Sequence, residues 1–162
     1  MPPERHVVLV HPEIHWNTGN IGRTCLGTGA TLHLLKPLGF SIDDRSVKRA
    51  GLDYWHAVDL RVWESYDFFC EKMQPDRDEI ALFSKSGKHS FWNLPQKQRL
   101  FLVFGSETRG LPDAISNRYD ASATYYIPIS SRIRSLNLSS AVAAALYESI
   151  RFAGDSFHGW SA

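Results

Sequence analysis

The stretch that most narrows the possible folds is "LFLVF" (Leu100–Phe104), five apolar residues with no polar alternation. A strand with one face in water alternates with period two, whereas a continuously apolar strand is covered on both faces. "VVLV" (Val7–Val10) reads the same way. Further strands are predicted at "TLHLL" (Thr31–Leu35), "DLRVW" (Asp59–Trp63), "EIALFS" (Glu79–Ser84) and "TYYIPI" (Thr124–Ile129). Helix-like segments separate them. One runs over Asn17–Thr28, where Gly29 suits the terminator, and a short basic one is capped by Asp43 or Asp44 and stops at Gly51. Another opens at Ser65 and ends before Pro75, and a long one begins near Leu138. The fold class is therefore α/β, a mostly parallel sheet with helices on both faces. Ligands gather beyond the carboxyl ends of the strands in such sheets.

The 162 residues fit one domain over 1–162, with no internal repeat or linker, and "GDSFHGWSA" reads as a tail whose Trp160 packs against something. No signal-like start and no run of ~18 apolar residues is present, so a cytoplasmic location without a membrane is expected. Cys25 and Cys70 are too few for a disulfide framework and are expected to be reduced, buried thiols. Lysines and arginines number 18 against 17 acids, so net charge does not announce a nucleic-acid binder. Local clusters do stand out, at Arg45, Lys48 and Arg49 and at Arg132 and Arg134; either solvated surface or phosphate contact accounts for them.

Four polar segments carry the functional reading. "HPEIH" spaces His11 and His15 like a metal pair, but Pro12 and a position ahead of the helix remove the shared face, and no third ligand follows, so no metal is expected. In "NTGNIGRT", Asn17, Asn20 and Arg23 fall at steps of three, one polar stripe on a helix. Asn17 also suits an N-cap. Glycines 19, 22 and 27 weaken that helix, which implies close backbone approach to a partner or ligand. "VFGSETRGLP" is a polar turn between Gly105 and Gly110 at a strand's carboxyl end, suited to wrapping a ligand. It is neither a G-x-S-x-G elbow nor a G-x-G-x-x-G fingerprint, and "GDSFHG" lacks the strand a hydrolase serine needs. "IPISSRIRSLNLSS" sets Arg132, Arg134, Ser135 and Asn137 before a helix whose Ala141–Leu146 stretch is apolar on every side and should be buried all round. Capping by Asn137 or Ser139 is the alternative there. The aromatic-rich "DYWHAVDLRVWESYDFF" reads as core and interface.

"NTGNIGRT", "FGSETRGLP" and "IPISSRIRSLNLSSAVAAALYE", in this order, resemble the three motifs of the SPOUT-class RNA 2′-O-ribose methyltransferases, and "LHLLKPLGF" and "KRAGLDYW" extend the likeness over nearly the whole chain. It looks closest to the minimal group that methylates the wobble ribose of tRNA. The resemblance implies a SPOUT fold with a deep C-terminal trefoil knot, S-adenosyl-L-methionine bound within it, and a homodimer that assembles the site from both subunits. It places Phe83, Gly105, Glu107, Ile127, Ser135 and Leu136 around the cofactor. Arg23, Asn20, Ser135 and Asn137 become the catalytic set. Relatives often carry proline around Ile14-His15-Trp16 and where Ser106 stands, so His15 is a residue to test for substrate choice.

The expected reaction is methyl transfer to a ribose 2′-hydroxyl, a weak nucleophile that must be aligned and relieved of its proton. A guanidinium with pKa above ~12 is a poor base, so Arg23 is expected to hold the nucleotide's phosphate and stabilise developing alkoxide charge. Asn17, Arg109, Arg132 and Arg134 are expected to contact RNA. Arg45, Lys48 and Arg49 would grip the anticodon stem-loop of tRNA. Methylation of another tRNA position or of rRNA is the alternative substrate. A silent knotted RNA-binding protein and a nucleotide-binding oxidoreductase are the alternatives of other classes.

Overall fold

A computed structural model describes residues 2–43, 45 and 53–156. The body of the expected basic helix, with Lys48 and Arg49, and the tail with Trp160 lie outside the described residues. Seven strands form one sheet among the described residues: β1 (Glu4–Val10), β2 (Thr31–Leu35), β3 (Leu60–Trp63), β4 (Ile80–Phe83), β5 (His89–Ser90), β6 (Arg99–Phe104) and β7 (Thr124–Tyr126). Every neighbouring pair is parallel, in the order β3-β2-β1-β6-β4-β7-β5. The α-helices among the described residues are α1 (His15–Thr28), α2 (Tyr66–Met73), α3 (Asp113–Ser116) and α4 (Leu138–Ile150).

Alternation along β1 sorts the two layers. Val7 and Leu9 join Ile21 and Cys25 of α1 and Val142, Ala145 and Leu146 of α4 in one core. Val8 and Val10 join Tyr66 and Phe69 of α2 and Ile115 of α3 in the other. Both faces of the central strands are thus covered, as continuous apolarity requires. Both cysteines are free; Cys25 is buried and Cys70 half-buried. No helix among the described residues is long and apolar enough to cross a membrane.

Several expectations need correction. The two-residue β5 is too short to show a period. The last strand stops at Tyr126, because Pro128 lacks the N–H that would continue the ladder. Helix α4 is not buried all round: Val142, Ala145, Leu146, Ser149 and Ile150 face inward, while Ser140 and Tyr147 are exposed. Small alanines made every side look apolar, yet only one stripe meets α1 and the sheet.

β1 begins at Glu4, because Arg5 and His6 are buried despite their polarity. The Arg5 guanidinium donates to Ser149 Oγ (3.1 Å), the Ser149 carbonyl (2.8 Å) and the Lys97 carbonyl (3.0 Å), tying β1 to α4. His6 belongs to a buried relay across three strands. Trp63 Nε1–H can only donate, and it meets His33 Nδ1 at 2.9 Å. His33 therefore carries its proton on Nε2 and donates to His6 Nδ1 at 2.8 Å, and His6 Nε2–H meets the Glu4 carboxylate at 2.7 Å. Burial pushes His33 down to about 3 and lowers His6 as well.

A histidine held neutral by the fold lets the unfolded chain take up protons first. Stability is complete above the ordinary value of 6.5 and falls as pH drops from there toward about 3. Urea denaturation should accordingly show lower stability at about pH 4.5 than at about pH 7. His33→Gln should make that slope shallower; an unchanged slope would show that His33 does not contribute.

Candidate active site

The carboxyl ends of β1, β6, β4 and β7 lie side by side, with Leu9 and Phe83 both in register with Phe104, and Phe83 with Tyr125. The loops leaving β1 and β6 meet at this edge and bind each other. Both oxygens of Glu107 accept backbone N–H groups, from Glu13 at 2.8 Å and Ile14 at 3.1 Å, and Asn17 Nδ2 donates to Oε1 at 3.4 Å. In return the Thr108 hydroxyl donates to the Glu13 carboxylate at 2.7 Å. Hydrogen bonds from Thr108 and then Ser106 hold the Glu13 carboxyl below the usual carboxylate range.

This clamp answers a deficit in α1. Its N-cap is Ile14, which has no side chain to bond the free N–H groups, and its first turn carries no acid. Glu107 supplies both acceptor and negative charge from another loop. Asn17 is therefore not the N-cap, and His15 opens the helix rather than preceding it. The Glu107 loop is itself tightly turned. A Cβ at Gly105 would overlap the backbone of Gly110 and Leu111, and Gly110 has φ 67°. The Gly110 N–H donates to the Ser106 carbonyl at 3.0 Å, and the Arg109 N–H to Ser106 Oγ at 3.2 Å.

Gly19 and Gly22 of α1 also meet a partner, whereas Gly27 has open space beside it and the expected close approach is absent there. Tyr54 Oη–H donates to the Gly19 carbonyl at 3.0 Å, and a Cβ at Gly22 would lie 2.5 Å from Trp55 Cζ3. The expected close approach is thus to the "DYW" segment. Asn20 and Arg23 are exposed, and the Arg23 guanidinium sits 5.5 Å from the centre of the Tyr54 ring. Asn17 is 2 % exposed and turned inward to Glu107, with its Oδ1 buried and unpartnered. The exposed row on α1 is instead Trp16, Asn20 and Arg23, since steps of four and three keep to one face better than two steps of three. Trp16 is 59 % exposed, with His15 edge-on to it at 5.0 Å.

Phe83 and Ile127 flank the ends of β4 and β7. Phe83 is buried and stacked on Phe104 at 4.6 Å, and Ile127 is half-buried against the same core. Leu136 is half-buried and spends neither its N–H nor its carbonyl on another backbone group among the described residues. Ser135, Arg132, Arg134 and Arg109 are exposed, as is Arg45; Arg49 lies outside the described residues. Asn137 caps α4, its Oδ1 accepting from the Ser139 N–H (2.9 Å) and hydroxyl (2.6 Å), which leaves the amide NH2 free to act. His11, at φ 55°, turns Nδ1 to the Leu35 carbonyl at 3.3 Å. No three His, Cys, Asp or Glu side chains converge among the described residues. Sequence reasoning missed Tyr54, Trp55 and the Glu13–Thr108 bond; only the glycines of α1 signalled the first two.

Residues 4–147 match the family described as the SpoU rRNA Methylase family. A relative from Listeria monocytogenes serotype 4b is 47 % identical over 150 residues, covering 90 % of this chain and 86 % of its own. A Burkholderia pseudomallei relative named tRNA (cytidine(34)-2'-O)-methyltransferase is 42 % identical over 149 residues, 92 % of this chain and 96 % of its own. A solved structure described as giving insights into the 2-OH methylation of C/U34 on tRNA superposes with TM-score 0.82 at 41 % identity, covering 93 % of this chain and 97 % of that one. The fold also matches the Streptomyces viridochromogenes SpoU methyltransferase AviRb, solved with AdoMet, at TM-score 0.79 and 23 % identity over 94 % of this chain and 58 % of that one.

Replacing Glu107 by Ala strands two N–H groups that now meet a carboxylate, and such bonds contribute ~1.5–3 kcal/mol each. Thermal denaturation should show a melting midpoint several degrees lower, and an unchanged midpoint would mean that water replaces the clamp. Gly22→Val drives a side chain into Trp55 and should destabilise by about 1–3 kcal/mol in urea. The Glu13–Thr108 bond is complete above the ordinary carboxylate value and is lost as pH falls through the lowered one.

Proposed function

The chain belongs to the SpoU methylase family, and from that premise we propose that it methylates the ribose 2′-hydroxyl of the wobble nucleotide, position 34, of tRNA. S-Adenosyl-L-methionine is the methyl donor. The observation that carries the reading is likeness at 41–42 % identity over more than nine tenths of the chain to a named cytidine-34 enzyme and to a structure of C/U34 methylation. The base is a cytidine or a modified uridine. The family's description as rRNA methylases supports an rRNA substrate as the second reading.

The strand ends fit the cofactor chemically. Phe83 and Ile127 offer an apolar floor, Leu136 offers unspent backbone groups for a purine edge, and Gly105 keeps the loop free of a side chain. When bound, the cofactor supplies an electrophilic methyl group on a sulfonium. Glu107 has both oxygens engaged by N–H groups, so it shapes this pocket rather than gripping a ligand.

Arg23 holds the phosphate of the target nucleotide and stabilises negative charge as it develops on the 2′-oxygen. Asn20, Ser135 and the amide of Asn137 orient the hydroxyl; alignment of this kind contributes up to ~7–11 kcal/mol in ideal cases. Arg109, Arg132 and Arg134 bind the anticodon stem-loop, and Arg45 and Arg49 are further candidates for contact with it. Asn17 acts through Glu107 and α1. The working form is a cytoplasmic homodimer, supported by the exposed Trp16 and Leu26 of α1 and Tyr147 of α4, with the site built from both subunits. The C-terminal segment forms a deep trefoil knot, a reading supported by membership of the family.

Incubation with labelled S-adenosyl-L-methionine and separate tRNA and rRNA pools, followed by mass spectrometry of nucleosides, tests the proposal. Label at the ribose of tRNA position 34 is expected. Label in rRNA alone would replace the substrate, and label in neither would favour a binding protein. Arg23→Ala should lower turnover by ~10²–10³-fold, the typical loss for one charge-stabilising donor.

A further inference from the structure

Arg23 makes no ion pair among the described residues, and its recorded contact is the Tyr54 ring, 5.5 Å from the guanidinium carbon. That ring is itself anchored. Its hydroxyl donates to the Gly19 carbonyl at 3.0 Å, four residues before Arg23 and on the same side of α1. Burial holds the hydroxyl above its ordinary value, so it is a donor at neutral pH. The adjoining Trp55 seats its ring where only glycine fits, at Gly22, which fixes the depth of the whole segment against the helix.

We propose that Tyr54 is a positioning residue for Arg23: the Gly19 bond sets the ring, and the ring holds the guanidinium with its N–H edge open to an RNA phosphate. An arginine on an exposed helix face otherwise samples many rotamers, and ordering it in advance removes that entropy from the binding step. A carboxylate partner would order it too, but would consume the donors and the charge that a phosphate needs. An aromatic face attracts the cation and leaves the donor edge unspent. The inference rests on Arg23 acting at the RNA, as proposed above.

Steady-state methylation kinetics with tRNA and S-adenosyl-L-methionine varied in turn, for Tyr54→Leu, Tyr54→Phe, Arg23→Ala and the Arg23→Ala/Tyr54→Leu double variant, test it. Tyr54→Leu should lower kcat/KM for tRNA about five- to tenfold, in the range of a partly desolvated cation–π contact, with the KM for S-adenosyl-L-methionine unchanged. Tyr54→Phe keeps the ring but loses the Gly19 bond that sets it, and should fall between the parent and Tyr54→Leu. In the Arg23→Ala background, Tyr54→Leu should have no further effect, because what it positions is gone. Multiplying losses in the double variant would show a merely structural tyrosine and overturn the inference while leaving Arg23's role intact. Full activity of Arg23→Ala would overturn both. If Tyr54→Leu does not fold, Tyr54→Met fills the space without a π face and is read against the same outcomes.

Discussion

The Glu107 carboxylate is the contact on which the rest of the site depends. It reaches across a separation of 94 residues to take the backbone N–H of Glu13, and takes that of Ile14 as well. Helix α1 has neither a capping side chain nor an acid in its first turn, so nothing local fixes how it leaves β1. The carboxylate sets that angle, and with it the direction in which Asn20 and Arg23 point. The Glu13–Thr108 bond makes the attachment reciprocal, so neither loop can shift without breaking a bond in the other. The loops after β1 and β6 are thus as tightly specified as a core.

That arrangement explains what was legible. Continuous apolarity gave away β1 and β6 because sheet burial leaves a mark on each residue in turn. Gly29 marked the end of α1 because a left-handed residue is a local demand, and its φ is 72°. Ser65 likewise capped α2. The start of β1 was hidden, since Arg5 and His6 owe their burial to Ser149, His33 and Glu4 rather than to hydrophobicity. The cap of α1 was hidden for the same reason: its partner is remote in sequence.

Along α1, the directions in which the polar side chains point were not legible in the sequence. Steps of three along a helix drift by ~60° each time, enough to carry Asn17 inward while Asn20 and Arg23 stay outside. Trp16 completes the exposed row instead. The glycines of α1 signalled a close neighbour without naming it, because a missing side chain records a shape and not its occupant. Tyr54 and Trp55 were read as core aromatics; they do pack, but against the backbone of the helix that carries Arg23.

The arginines of this chain, whose formal net charge is +1, divide by the partners they meet. Arg61, Arg99, Arg118 and Arg151 each face a carboxylate, on Asp59, Glu79, Asp67 and Glu148. Arg5 is consumed by carbonyls and Ser149. Arg23, Arg109, Arg132 and Arg134 have no ion pair among the described residues, and all four belong to α1 or to the loops following β6 and β7. The acids pair with four arginines of the fold, Arg77 instead meets the Arg118 carbonyl and the Tyr119 ring, and Arg109 lies near enough to Glu13 to help lower its carboxyl. Phosphate binding draws on local unpaired charge and the counterions it displaces, not on the whole-chain sum. Under the proposed function, Arg23, Arg132 and Arg134 supply that local charge, so a formal net charge of +1 is compatible with holding one phosphate.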